Sequence, residues 1–237
     1  MKILSMECSA SPASAAVIED GKVLAFAYSN VKLTHSQTLI PMAQTVLNSA
    51  QLSIDNIDGI GIGNGPGSFT GIRIGISAAK GIAAPKNLPC APVSTLRAMA
   101  ENYRGVDCYV CAVMDARCNQ VYNAIFEISD NEIKRLTPDR ALLCAELSDE
   151  ITANYKDAKK NIYIVGDGTD IFFPYIKDIK NVRKSSPICR FQNAVGIGLA
   201  AEEMFLNGET VSADALLPFY LRLPQAEREL KAKEELK

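Results

Sequence analysis

Tryptophan is absent from this 237-residue chain, and histidine occurs once, at His35. A catalytic zinc or iron site normally wants two or more histidines, or cysteines at ligand spacing, and a lone imidazole does not supply the former. It also confines any Ser-His-Asp arrangement to His35, and no G-x-S-x-G elbow accompanies it. No apolar run approaches the ~20 residues that cross a bilayer. The opening MKILSMECSAS meets Glu7 too soon for a signal-peptide core, so no secretory leader is expected. Excess positive charge is missing as well: the net charge of −2 offers no global basic field to nucleic acid or anionic membrane. Paired cysteines are equally scarce. The seven thiols are odd in number and sit in apolar contexts, which reads as free cysteine in a reducing, cytoplasmic compartment. Cys108 and Cys111 form a CxxC inside CYVCAVM, a strand-like run in which residues three apart point to opposite faces. Without a second pair they are expected to be buried and structural rather than zinc ligands.

What is present is a plan stated twice. Strands are expected over 2–6, 15–18 and 23–28, with an Asp20-Gly21 hairpin signal between the last two. The second half repeats this with strands over 109–114, 121–128 and 132–136 and a turn at Asp130-Asn131. Each half then runs a strand into a glycine turn and a helix, at 60–63 before Asn64-Gly65 and at 162–165 before Gly166-Asp167-Gly168. Glu7 and Asp115, Gly21 and Asn131, and Gly63 and Gly166 each stand roughly 105 residues apart, the sign of an internal duplication. The fold class is therefore α/β, with two subdomains of mixed sheets flanked by helices and a crevice between them. That is the plan of the actin, sugar-kinase and Hsp70 ATPase superfamily. The boundaries read as 1–105, 106–222 and a charged tail, 223–237.

Helices fill the gaps. Thr34 and Gln37 make a T-x-x-Q capping box, and Leu39, Ala43, Val46 and Ala50 line one face of the helix that follows. Pro41 lies too far in to be a first-turn proline, so a kink or a delayed start is expected. Ser94 can cap a short helix to about residue 103, and a helix rich in small residues runs from 193 to 207.

The most informative segment is GIGIGNGPGSFTGIRIGISAAKGIAAP, residues 59–85. Ser68 or Thr70 can cap its helix and Pro85 stops it. Within that helix Gly71, Gly75 and Ala78 share one face. Each interior glycine costs about 1 kcal/mol against alanine, so a closely approaching backbone or ligand must offset it. The turn lacks the Gly-Lys-Ser/Thr of a P-loop and the third glycine of a dinucleotide fingerprint. Tight packing is favoured over phosphate binding. Candidate chemistry is otherwise confined to Glu7 and Asp115, the acids ending equivalent strands, with Ser9 and Ser11 as nearby hydroxyls. Asp115 and Arg117 are read in preference as a structural ion pair, and His35 as a surface or interface residue.

NGPGSFTGIRIGISAAKGIA closely resembles the signature loop and helix of the TsaB (YeaZ) family. KILSMECSAS, THSQTLIPMAQTVL, PVSTLRAMAEN, MDARCNQVY and the late PFYLR resemble it too, spanning residues 2 to about 222. The resemblance implies the duplicated actin-like ATPase fold. It also implies a non-catalytic subunit of the machinery that makes threonylcarbamoyladenosine beside the anticodon of tRNAs reading codons that begin with A. Neither metal nor cofactor is expected. The implied partners are the catalytic paralogue TsaD, the small ATPase TsaE and, for the chain alone, a second copy; tRNA is met only through the complex. The implied interface lies on helices 35–50 and 71–84, at His35, Leu39, Met42, Ala43, Val46, Gly71, Arg73, Ile74, Gly75, Ala78 and Ile82. On this reading Gly75→Leu abolishes partner binding and leaves the fold intact. The competing function is an ATP-binding phosphotransferase or ATPase using the cleft, with Glu7 and Asp115 on magnesium.

Overall fold

The computed structural model of the protein describes residues 1–31 and 33–222; the charged tail, 223–237, lies outside the described residues. β1 (Lys2–Glu7), β2 (Ala13–Glu19) and β3 (Lys22–Ser29) form an antiparallel meander. β4 (Gly59–Gly65) adds to β1 in parallel, and β5 (Cys90–Ser94) to β4. The first sheet thus reads β3-β2-β1-β4-β5. In the second half β6 (Cys108–Arg117), β7 (Gln120–Ser129) and β8 (Glu132–Arg135) form the meander, with β9 (Arg140–Leu143) also pairing with β7. β10 (Ile162–Val165) and β11 (Val182–Lys184) add in parallel, giving β11-β10-β6-β7-β8. Strand for strand this is the first sheet again, the duplicated plan of the actin-like ATPase fold.

The helices follow their signals with informative exceptions. α1 (His35–Ser49) starts where Thr34 predicts, but Thr34 Oγ1 donates to Gln37 Oε1 at 2.7 Å and caps no backbone N–H. The expected capping box is not formed. Pro41 sits inside α1 without delaying its start, and Thr45 Oγ1 donates to the Pro41 carbonyl at 2.8 Å. α2 (Phe69–Ala83) is capped by Ser68, whose Oγ accepts from Gly71 N at 3.3 Å. α3 (Thr95–Glu101) begins on Ser94 and α7 (Ala194–Leu206) on Asn193, whose Oδ1 accepts from Gly196 N at 3.0 Å. α4 (Cys144–Tyr155), α5 (Thr169–Phe172) and α6 (Pro187–Arg190) complete the second half.

Each sheet is covered on both faces. α1 and α2 bury Leu39, Val46, Ile72 and Ile76 against Leu4, Met6, Ile60 and Ile62. The other face of the first sheet receives α7, through Ile197, Ala200 and Ala201 against Ile3, Ala91 and Val93. Period-2 alternation explains why β4 suits this. Its isoleucines point to α2 while its glycines face α7, so that a Cβ on Gly61 would lie 2.9 Å from Ala201 Cβ. α3 fills the space toward the second sheet, with Leu96 and Met99 packed among Val110, Ala112 and Phe126. The far face of that sheet packs on α4 and α5.

One boundary is affected as a result. α7 and Leu216 belong to the cores of the first sheet, not the second, so the break expected at 105/106 does not separate two self-contained units. The chain starts in the first body, builds the second, and returns. Cys108 and Cys111 fall in cores on opposite faces of the second sheet, as strand geometry requires, and burial pushes their thiols up to about 11 and about 12.

Candidate functional site

Six chain segments converge between the two bodies on a cleft of about 490 Å³. The turn after β1 supplies Ser9, Ala10 and Ser11, and the start of α2 supplies Gly67, Ser68 and Phe69. These two are tied together by Ser68 N donating to the Ser9 carbonyl at 2.6 Å. His35, opening α1, donates from Nε2 to the Ala10 carbonyl at 2.7 Å; since a carbonyl only accepts, this fixes the tautomer. From the second body come Asp115 and Arg117 at the end of β6, Tyr122 on β7, and Asp167 in the turn after β10. Asp115 Oδ1 accepts from Arg117 N at 2.7 Å and Oδ2 pairs with its guanidinium at 3.3 Å, the expected structural ion pair. Arg117, Cys118 and Asn119 hold this turn with three successive left-handed φ angles.

The sixth segment is the late PFYLR motif, which straps the cleft mouth. Phe219 N donates to the Asn64 carbonyl at 2.8 Å. Tyr220 stacks on Phe69 with ring centroids 4.8 Å apart and accepts from Arg73 Nε at 2.9 Å. On the far side Arg222 Nη1 donates to the Ala116 carbonyl at 2.7 Å. The strap thus touches both bodies.

Ser9 and Asp115 therefore face a common space, but Glu7 does not. Its side chain is fully buried beneath the cleft, packed against Gly63, and Oε1 accepts from Ser9 N at 2.5 Å. Burial pushes its carboxyl up to about 7, with the Asp167 charge adding to the rise. Glu7 thus lies under the cleft and not on its wall, where Asp167 stands instead. Burial, then the Asp115 charge, push the Asp167 carboxyl up to about 6. The signal for Asp167 was in the duplication, which places it opposite Asn64. Phe219, Tyr220 and Arg222 were visible only as part of a resemblance. No group of three or more His, Cys, Asp or Glu side chains arranged to hold a metal ion occurs among the described residues.

Beside the cleft, α1 and α2 form an open groove of about 600 Å³ with Ile40, Ile74 and Ala78 on its walls; it shares His35 and Phe69 with the cleft. The expected interface residues divide here. His35, Met42, Arg73, Ile74, Ala78 and Ile82 are half-buried or exposed, whereas Leu39, Ala43, Val46, Gly71 and Gly75 are buried in the chain's own core. The glycine stripe faces inward: a Cβ on Gly71 would collide with the Cys8 carbonyl, and one on Gly75 would lie 3.0 Å from Cys8 Sγ and 3.1 Å from Ile62 Cδ1. The approaching backbone that offsets the glycine cost is the turn after β1. Leucine at position 75 would thus disrupt the core, so the expectation that it spares the fold is overturned.

Comparison with known proteins places these features in a group. The family model described as "TsaD: tRNA N6-adenosine threonylcarbamoyltransferase" matches residues 29–230. The tRNA threonylcarbamoyladenosine biosynthesis protein TsaB of Escherichia coli is 31% identical over 99% of this chain and 100% of its own. The Bacillus subtilis protein of the same description is 28% identical over 96% of both. Among solved structures, YeaZ from Pseudomonas aeruginosa superposes with a TM-score of 0.77 at 27% identity, over 93% of this chain and 99% of its own.

Proposed function

Because the chain belongs to the TsaB (YeaZ) family, we propose that it serves threonylcarbamoyladenosine formation on tRNA as a non-catalytic subunit that docks on a TsaD-like paralogue. The docking face is the outer side of α1 and α2. The observation that carries this reading is the open apolar groove between those helices, with Ile40 46% exposed beside it. A second copy covers the same face in the isolated chain, and a TsaE-like ATPase joins the assembled pair. The lone histidine fits a subunit that leaves the chemistry to its partner.

Co-purification with a TsaD-type protein, followed by a threonylcarbamoylation assay with and without this chain, tests the reading. Complex and activity are expected with the parent chain. Ile74→Glu, which places a charge at the groove, should abolish both at unchanged melting temperature. A complex of unchanged affinity in that variant would sink the proposed face.

The cleft favours a second reading, ATP-dependent phosphoryl transfer, because Ser9 and Asp115 face each other across it. Micromolar Mg-ATP binding by the isolated chain, lost in Asp115→Ala, would establish it over the scaffold.

A further inference from the structure

We propose, on the premise of the docking face described above, that Arg73 is its preset carboxylate receptor, and that the partner seated there delivers an aspartate or glutamate side chain to it. Arg73 is exposed on the wall of the groove between α1 and α2. Its guanidinium is held twice: Cζ lies 4.0 Å from the centroid of the Phe69 ring, and Nε donates to Tyr220 Oη at 2.9 Å. Tyr220 is in turn stacked on Phe69. The two Nη groups, the edge of the fork that grips a carboxylate through two parallel hydrogen bonds, have no partner among the described residues. Because the ring and the hydroxyl already order the side chain, little rotamer freedom is left to lose when a carboxylate binds.

The charge of the face decides between occupants. Neither α1 nor α2 contains an aspartate or glutamate, and their fixed charges are Arg73 and Lys80 alone. Lys80 follows Arg73 by two turns on the same side of α2. It donates to the Asp214 carbonyl at 3.1 Å, a neutral acceptor that leaves its charge uncompensated. Asp55, at the far rim, is already paired with Lys86. A second copy docking helix to helix therefore brings two more cations and no carboxylate from these helices, so that like charges meet. A paralogue whose facing helix carries an acid gains the bidentate pair and neutralises the face. The same apolar groove thus favours an acidic partner over self-association, through repulsion in one case and attraction in the other.

Calorimetric titration of a TsaD-type protein into the full chain at low and high sodium chloride, beside sedimentation of the chain alone at the same salts, tests this. The heterocomplex is expected to weaken as salt rises, and self-association to hold or strengthen. Arg73→Gln should weaken the heterocomplex about tenfold or more and flatten its salt dependence, leaving self-association no weaker. Arg73→Lys keeps the charge and loses the fork, so it should retain the salt dependence but only part of the affinity. Should Arg73→Gln fail to fold, Arg73→Lys and the salt series of the parent chain carry the test. Unchanged heterocomplex affinity in Arg73→Gln, or a salt-independent heterocomplex, would overturn the proposal. So would equal loss in both assemblies, which is the mark of an arginine that merely holds the strap. Ile74→Glu keeps the two readings apart: a complex lost in that variant but unchanged in Arg73→Gln retains the docking face and removes the carboxylate.

Discussion

Glu7 is the residue whose environment most opposes its chemistry. Its carboxyl is buried with Oε2 unpartnered, and its pKa stands at about 7 against an ordinary 4.5. The unfolded chain releases this proton near the ordinary value while the folded chain keeps it, so stability falls as pH rises from 4.5 to about 7. Below that window both states are protonated and the penalty vanishes; above it the penalty is constant, at roughly 3 kcal/mol. Glu7→Gln should therefore raise the melting temperature above pH 7, with a gain that shrinks to nothing near pH 4. Equal melting curves at pH 8 would refute this. The sequence marked Glu7 as important by its place at a strand end. Burial was what it could not display: whether an acid at the end of β1 faces the cleft or lies under it depends on Gly63, whose missing Cβ leaves room for the carboxyl.

At the scale of elements, α2 shows how a pattern is legible and its direction is not. The spacing of Gly71, Gly75 and Ala78 announced a close approach, and the approach exists. Which neighbour makes it was undetermined, because helical periodicity names a face and never its partner. The two sorts of glycine in this helix make the point testable. Gly81 is exposed with nothing within 4 Å of a new Cβ, so Gly81→Ala should stabilise by about 0.5–1 kcal/mol. Gly71→Ala gains the same propensity yet drives a methyl into the Cys8 carbonyl, and should destabilise by roughly 1–3 kcal/mol. Urea titrations of the two variants are expected to move in opposite directions; a stabilised Gly71→Ala would contradict the inward packing. The strand pairs and hairpins were readable because they rest on local signals: Asp20 and Gly21 take the left-handed φ angles their turn needs, as do Asp130 and Asn131. The short β9 and its pairing with β7 carried no such signal.

For the whole molecule, the duplication was legible but the division of labour was not. α7 looks from its sequence like the last helix of the second half, yet it closes the first. Ser5 Oγ donates to the Ala194 carbonyl at 2.7 Å, and Ser14 Oγ accepts from Ala194 N at 2.9 Å. A fragment ending at residue 105 would expose Ile3, Ala91 and Val93 to water. Such a fragment should lack a cooperative unfolding transition in urea monitored by circular dichroism. A sharp two-state transition would show that the first body folds alone.

The strap of residues 219–222 gives the molecule a property that neither pocket has by itself. Tyr220 is held by Phe69 and Arg73, both on α2, while Arg222 reaches the second body. Anything that seats on the α2 face and draws Arg73 away must loosen the clasp on the cleft. Thermodynamic linkage then runs in both directions: a cleft occupant that favours one strap position changes affinity at the helices by the same factor that the helices' occupant changes affinity in the cleft. Tyr220→Phe, which keeps the ring and removes the hydroxyl, would uncouple the two without emptying either.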